Sequence, residues 1–336
     1  MKLRQKIETG VALAKVRFGK GKIPVVVTWA IAGGCNKQCL YCEEWKKREE
    51  ITTEQAFRIV DELKNLGTKR ISLSGGEPLA REDIGEIIDR AKMGGIGVVV
   101  TSNGSLVAKR IKELKNLDLL KLSIEGRKEV HDKLRGKGSF DEVMEAIRAA
   151  QKLGIKIVFN AVLTKYTLGE IDFLIDLAKK YETGVRFTVI SEVHGGKRHV
   201  NPLLPAREEY ISAIEKIIEA KRSGKPSFAA KLRTGRPVLN SLAGLAYYKE
   251  WPDPRKLACF AGKGFCHIDA RGDLFPCVMM AGRGKGVSVL KDGVGWALDR
   301  LGETACQGCW CGGTLELNLA LGVRGVEVLR NVKRLV

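Results

Sequence analysis

PVVVTWAIAGGCNKQCLYC, residues 24 to 42, runs from a β-branched apolar stretch straight into three cysteines. The first half reads as a buried strand. The second sets Cys35, Cys39 and Cys42 within eight positions. A structural zinc site or a closed iron–sulfur cluster takes four protein ligands. Three thiolates leave one position of a metal centre open, and an open position is where chemistry happens.

The flanking sequence supplies a frame for that loop. After it, helix and strand signals alternate: a helix over 52–67 ended by Gly67, a strand over 69–76, a helix over 81–95, a strand over 96–104, a helix over 106–117 and a strand over 118–126. A helix over 139–154, a strand over 155–165, a helix over 169–182 and a strand over 184–193 follow. Six strands with helices between them imply a parallel sheet. The fold class expected is α/β, a partial (β/α)6 TIM-like barrel in which function sits on the loops after the strands. A further helix covers 207–224, and from about residue 252 the chain turns rich in Gly, Cys and Pro. The expected division is a basic N-terminal helix over 1–22, the partial barrel over 23–224 and a small cysteine-rich C-terminal domain over 225–336.

The 336 residues carry 58 Lys and Arg against 39 Asp and Glu, a net charge of +19. That balance favours acidic partners. The residues before the first strand, KLRQKIETGVALAKVRFGK, place Leu3, Ile7, Val11 and Leu13 among lysines and arginines. This reads as a helix that caps the main domain or touches a membrane surface. No stretch reaches the roughly 18 unbroken apolar residues of a membrane span, and the first residues lack a signal peptide's apolar core. A cytoplasmic, reducing location is expected, where nine cysteines are metal ligands rather than disulfides. They fall in two groups, Cys35 to Cys42 and Cys259 to Cys311, with none between.

The C-x3-C-x2-C spacing, with Tyr41 before the last cysteine, resembles the motif of radical S-adenosylmethionine (SAM) enzymes. The resemblance covers roughly residues 23 to 193. It implies that Cys35, Cys39 and Cys42 hold a [4Fe-4S] cluster whose open iron is chelated by SAM, and that Tyr41 lays its ring against a bound ligand. Ser74-Gly75-Gly76-Glu77-Pro78, after the second strand, resembles the family's segment for the SAM amino group, which assigns Gly75, Gly76 and Glu77 to it. Weaker echoes lie at later strand ends. Ser102 and Asn103 fall in the Thr101–Gly104 turn, Ser123 and Glu125 would face the ribose, and Arg135 would pair with the SAM carboxylate. The implied reaction is reductive cleavage of SAM to methionine and a 5′-deoxyadenosyl radical, which abstracts hydrogen from a substrate.

Cys259, Cys266, Cys277, Cys306, Cys309 and Cys311 resemble the SPASM and twitch extensions of the same family, which carry auxiliary iron–sulfur clusters. A full SPASM module needs about seven cysteines, so one or two auxiliary [4Fe-4S] clusters are implied. The set Cys259, Cys277, Cys306 and Cys309 is preferred, with Cys266 and Cys311 as substitutes, a second cluster's ligands or buried thiols. A zinc ribbon remains the structural alternative. Expected partners are an acidic electron donor such as a ferredoxin or flavodoxin, and a peptide, lipid or other small-molecule substrate. His194 and His199 lie in the loop expected at the barrel mouth. A non-catalytic zinc or iron–sulfur scaffold that binds nucleic acid is the competing class. It explains neither the Gly-Gly-Glu-Pro segment nor the absence of interleaved aromatic and basic residues that a single-strand binder needs.

Overall fold

A computed structural model of the chain describes residues 3–19, 21–43, 46, 49–190, 201–223, 237–281, 283–302, 306 and 308–322. His194 and His199, and residues 224–236 near the expected domain boundary, lie outside them.

Strands β1 (Val26–Ala32), β2 (Arg70–Gly75), β3 (Gly97–Ser102), β4 (Leu119–Ser123), β5 (Ile157–Leu163) and β6 (Val185–Val189) are the six expected from the sequence. Each pairs parallel with the next. Three more join them: β7 (Phe265–Ile268), β8 (Asp273–Phe275) and β9 (Val287–Ser288). The sheet order is β6-β5-β4-β3-β2-β1-β7-β8-β9, an open sheet that is mostly parallel. β7 runs parallel to β1, with Cys266 opposite Val27, while β8 and β9 return antiparallel. The sheet therefore continues across the boundary expected at residue 224.

One face of the strands is apolar and buried. Val27, Trp29, Ile71, Leu73, Leu120, Leu122 and Phe187 pack beneath the helices. The helix Thr53–Asn65 shows why the chain alternates. Thr52 and Gln55 form a reciprocal capping box at its start, and Ala56, Ile59, Val60 and Leu63 recur at helical spacing on its buried face. Each of the larger three contributes about 2 kcal/mol by leaving water. The opposite face of the strands carries polar, partly exposed side chains: Thr28, Ser72, Thr101, Lys121, Asn160 and Arg186. The period of two makes this the inner face of the open barrel.

The N-terminal helix, Leu3–Phe18, packs under the barrel. Ala12, Leu13 and Val16 join Val26, Phe260, Phe265 and the C-terminal helix Gly312–Gly322 in a second core. Of the apolar face read from the sequence, Leu13 is buried, whereas Ile7 and Val11 are 60% and 51% exposed. The face that docks is thus turned from the one read from the sequence, because Ala12 and Val16 meet the neighbouring elements. No described helix is long and apolar enough to cross a membrane.

Candidate active site

The cysteine loop leaves the carboxyl end of β1 and is held by the next strand's turn. Gly76 N–H donates to Ala32 O at 3.0 Å and Glu77 N–H to Gly34 O at 2.9 Å. A Cβ on Gly76 would sit 1.7 Å from Gly34 O, and one on Gly75, at φ 116°, 2.6 Å from Ala32 O. The two glycines thus let β2's turn close on the backbone that launches Cys35. Gly76→Ala should push that loop away and lower the iron bound per chain at least severalfold, read by iron content after reconstitution; full loading would contradict this packing role.

Glu77 is fully buried. Its carboxylate accepts from Ser102 Oγ at 2.9 Å, Asn103 N at 2.8 Å and Leu79 N at 3.1 Å. Burial raises its pKa, and these donors oppose the rise. It is a buckle between the ends of β2 and β3. Asn103 carries the buckle to the thiols: its Nδ2 donates to Asn36 Oδ1 at 2.9 Å and reaches Cys35 Sγ at 3.8 Å.

A second network closes the other side. Glu125, fully buried beyond β4, accepts on one oxygen from Tyr41 Oη at 2.6 Å and from Arg135 Nε and Nη2 at 2.9 and 2.8 Å. Its other oxygen takes the Val162 N–H at 2.8 Å. Arg135 ends the helix Lys128–Arg135, lies 5.5 Å from the Tyr41 ring centroid and points Nη1 at Cys39 Sγ, 3.9 Å away. The Leu40 N–H bonds Leu134 O at 2.9 Å, fastening the cysteine loop to that helix. This helix is short and strongly charged, so it lacks the apolar spacing that marks the longer helices in the sequence.

Burial raises the thiols of Cys35 and Cys39; Arg135 opposes this at Cys39. A metal reverses that preference by binding thiolates. Donors aimed at two sulfurs, and three thiols on one loop at a strand end, fit a cluster with three protein ligands. Among the described residues no group of His, Cys, Asp and Glu is close enough to cage a single metal ion. A cluster of several irons spaces its thiolates more widely than one ion does.

His131 lies behind the network, fully buried. The Glu125 N–H donates to its Nδ1 at 3.2 Å, which leaves the ring proton on Nε2 and the imidazole neutral. Burial, with Arg135 nearby, lowers its pKa to about 3. An unfolded histidine titrates near 6.5, so between about 6.5 and 3 the unfolded chain holds the extra proton and native stability falls with pH, by up to about 1.4 kcal/mol per unit. Denaturant unfolding between pH 7 and 5 should show His131→Gln losing that share of the slope; equal slopes would contradict it.

Among the late cysteines, Cys277 and Cys309 are partly buried with other thiols nearby. Burial raises both and lifts Cys277 to about 12; Thr314 opposes the rise at Cys309 and the Met279 and Met280 backbone opposes it at Cys277, while the neighbouring thiols Cys311 and Cys259 add to it at both. Asn318 Nδ2 points at Cys259 Sγ and Cys309 Sγ, at 3.8 and 4.0 Å, and Thr314 Oγ1 lies 3.3 Å from Cys309 Sγ. Cys306 is exposed, its sulfur taking the Gly308 N–H at 3.5 Å. Cys266 stands apart. It is fully buried in the main apolar core on β7, and burial alone raises its pKa to about 12.

A model of the radical SAM superfamily matches residues 29–178, the segment that holds both networks. That match takes in somewhat less than half of the chain. The Fe-coproporphyrin III synthase of Methanosarcina barkeri is 33% identical over 62% of this chain and 54% of its own length. The mycofactocin maturase MftC of Mycobacterium tuberculosis is 30% identical over 76% of this chain and 64% of its own. The chain thus spans less than two thirds of each. The crystal structure of Streptococcus suis SuiB bound to precursor peptide SuiA superposes with a TM-score of 0.66 at 18% identity, covering 90% of this chain and 74% of that one. This likeness shows a shared fold. Radical SAM proteins use a [4Fe-4S] cluster and SAM, and the two curated relatives are enzymes by name.

Proposed function

We propose that this chain is a radical SAM enzyme that cleaves SAM and takes a hydrogen atom from a substrate lying against the inner face of the open barrel. The observation that carries this is the bracketing of one three-cysteine loop by the Glu77 buckle and the Tyr41–Glu125–Arg135 network. When bound, a [4Fe-4S] cluster and SAM supply a one-electron cleavage that leaves methionine and a 5′-deoxyadenosyl radical. The chain's own work is positional. Cys35, Cys39 and Cys42 would hold the cluster, with Asn103 and Arg135 donating to two of the sulfurs. Glu77 fixes the backbone of β2's turn and of Asn103, so it acts by positioning, with its own oxygens already taken by protein donors. Glu125 spends one oxygen on Arg135, which leaves Nη1 as the guanidinium donor turned to the cysteine side and suited to a carboxylate. Ser123, at the end of β4, and Ser102, bonded to Glu77, complete the strand-end set.

For the C-terminal cysteines, Asn318 spans Cys259 and Cys309, Thr314 bridges Cys309 and Cys311, and Cys306 is exposed; this supports one auxiliary cluster on Cys259, Cys277, Cys309 and Cys311, with Cys311 in place of Cys306. Cys311→Ala should then lower iron by about four atoms per chain, and Cys306→Ala should leave it unchanged; the reverse pattern would restore Cys306 as ligand. Gly312 lies against Thr188 and Arg186, so this group borders the inner face, where an auxiliary cluster would exchange electrons with a substrate radical.

The polar lining favours a polar small molecule or peptide over a lipid chain as substrate. The Fe-coproporphyrin III synthase name makes a tetrapyrrole one candidate for this chain. The positive charge would suit an acidic donor such as a ferredoxin or flavodoxin. Anaerobic incubation with SAM and dithionite tests the activity: methionine and 5′-deoxyadenosine should form together, and their absence from an iron-loaded chain would refute it.

A further inference from the structure

The helix Leu3–Phe18 is apolar on two opposite sides. Ala12, Leu13 and Val16 share the side that packs into the second core, against Val25, Val26 and Phe265. At about 3.6 residues per turn, Ile7, Val11, Ala14 and Phe18 fall on the side half a turn away. All four are exposed, Phe18 at 81%. Packing against the barrel accounts for the first side only. Single exposed apolar residues are ordinary, but these recur at helical spacing as one stripe, about 16 Å long.

Cations flank the stripe. Lys15 is exposed, and Arg17 holds its guanidinium 5.5 Å from the Phe18 ring centroid. The one acid of the helix, Glu8, pairs with Lys69 at 3.5 Å. Residues 2–22 hold seven Lys and Arg against that single Glu. A second copy of the chain suits this face poorly. Three larger side chains and an alanine fall well short of the roughly 800 Å² per partner that a stable protein interface buries, and two copies would set like charge against like. A row of apolar side chains rimmed by cations instead matches the boundary between anionic headgroups and acyl chains.

We propose that this side of the helix docks on an anionic lipid membrane, with Ile7, Val11 and Phe18 at the acyl boundary and Lys15 and Arg17 among the headgroups. The helix packs at the amino end of β1, whereas the cysteine loop leaves the carboxyl end, about 20 Å along the strand. The contact is thus an anchor and not a route for substrate.

The test is flotation of the full, iron-loaded chain with vesicles of phosphatidylcholine containing about one third phosphatidylglycerol, and with phosphatidylcholine alone. The chain should float with the anionic vesicles, and added salt should weaken the binding severalfold. The double variant Val11→Ser/Phe18→Ser should bind about tenfold more weakly, with Tm unchanged because both side chains are exposed. In Phe18→Trp, the added emission should be quenched by lipids brominated on their acyl chains. Full binding by the double variant, or emission indifferent to the brominated lipid, would mean that general surface charge holds the chain and would overturn the proposal. So would failure of the wild type to float. A wild-type dimer that the double variant turns into a monomer without vesicles would name a second copy as the occupant and overturn it too. Flotation needs no SAM, so its outcome is independent of SAM cleavage.

Discussion

Replacing any one of Cys35, Cys39 or Cys42 by Ala is expected to remove 5′-deoxyadenosine formation, by about a thousandfold or more. Ligands of one cluster act as a unit, so losing one costs nearly as much as losing all three. The surroundings sharpen the expectation. Burial already biases Cys35 and Cys39 toward the neutral thiol, so two remaining cysteines have little to gain from staying deprotonated around an incomplete site. Chromatography of the reaction reads the result. Wild-type yield from a single-Ala variant would mean that the loop is structural.

Glu125→Ala should have the largest effect on stability. It leaves Arg135 buried without its carboxylate, and strips partners from Tyr41 Oη and the Val162 N–H. Removing one member of a buried ion pair costs about 3–5 kcal/mol, which for a domain of this size is a drop in Tm of roughly 10 °C. Thermal unfolding of the metal-free chain isolates this from cluster loading. Glu125→Gln should fall between the two, since its amide oxygen still accepts but carries no charge. A shift of under about 2 °C for the Ala variant would mean that the network relaxes and that Arg135 finds another partner.

Much of this architecture was legible in the sequence, and the reason is local. β1, β3, β5 and β6 are rich in β-branched residues, and β2 and β4 alternate apolar with polar ones; the helices between them, such as Thr53–Asn65, have caps and apolar spacing that agree with their tertiary place. The cysteine loop and Gly-Gly-Glu-Pro stood out because their residue types are costly without a purpose. What the sequence hid was pairing at a distance. Nothing near Cys266 says that β7 will lie against β1, where its thiol becomes core rather than ligand. Tyr41, Glu125 and Arg135 each read as separate strand-end residues; only the fold joins them into one network. The motif also did not say that Gly75 and Gly76 let β2's turn close on the backbone of the cysteine loop.

The most direct measurement is anaerobic iron and sulfide content with electron paramagnetic resonance, on the wild-type chain and on the triple Cys35/Cys39/Cys42→Ala variant, with and without SAM. The predicted result is about eight irons in the wild type and about four in the variant, with a signal that changes on adding SAM in the wild type alone. Zinc in place of iron, or a wild-type signal indifferent to SAM, would contradict the assignment of these three cysteines to a SAM-binding cluster.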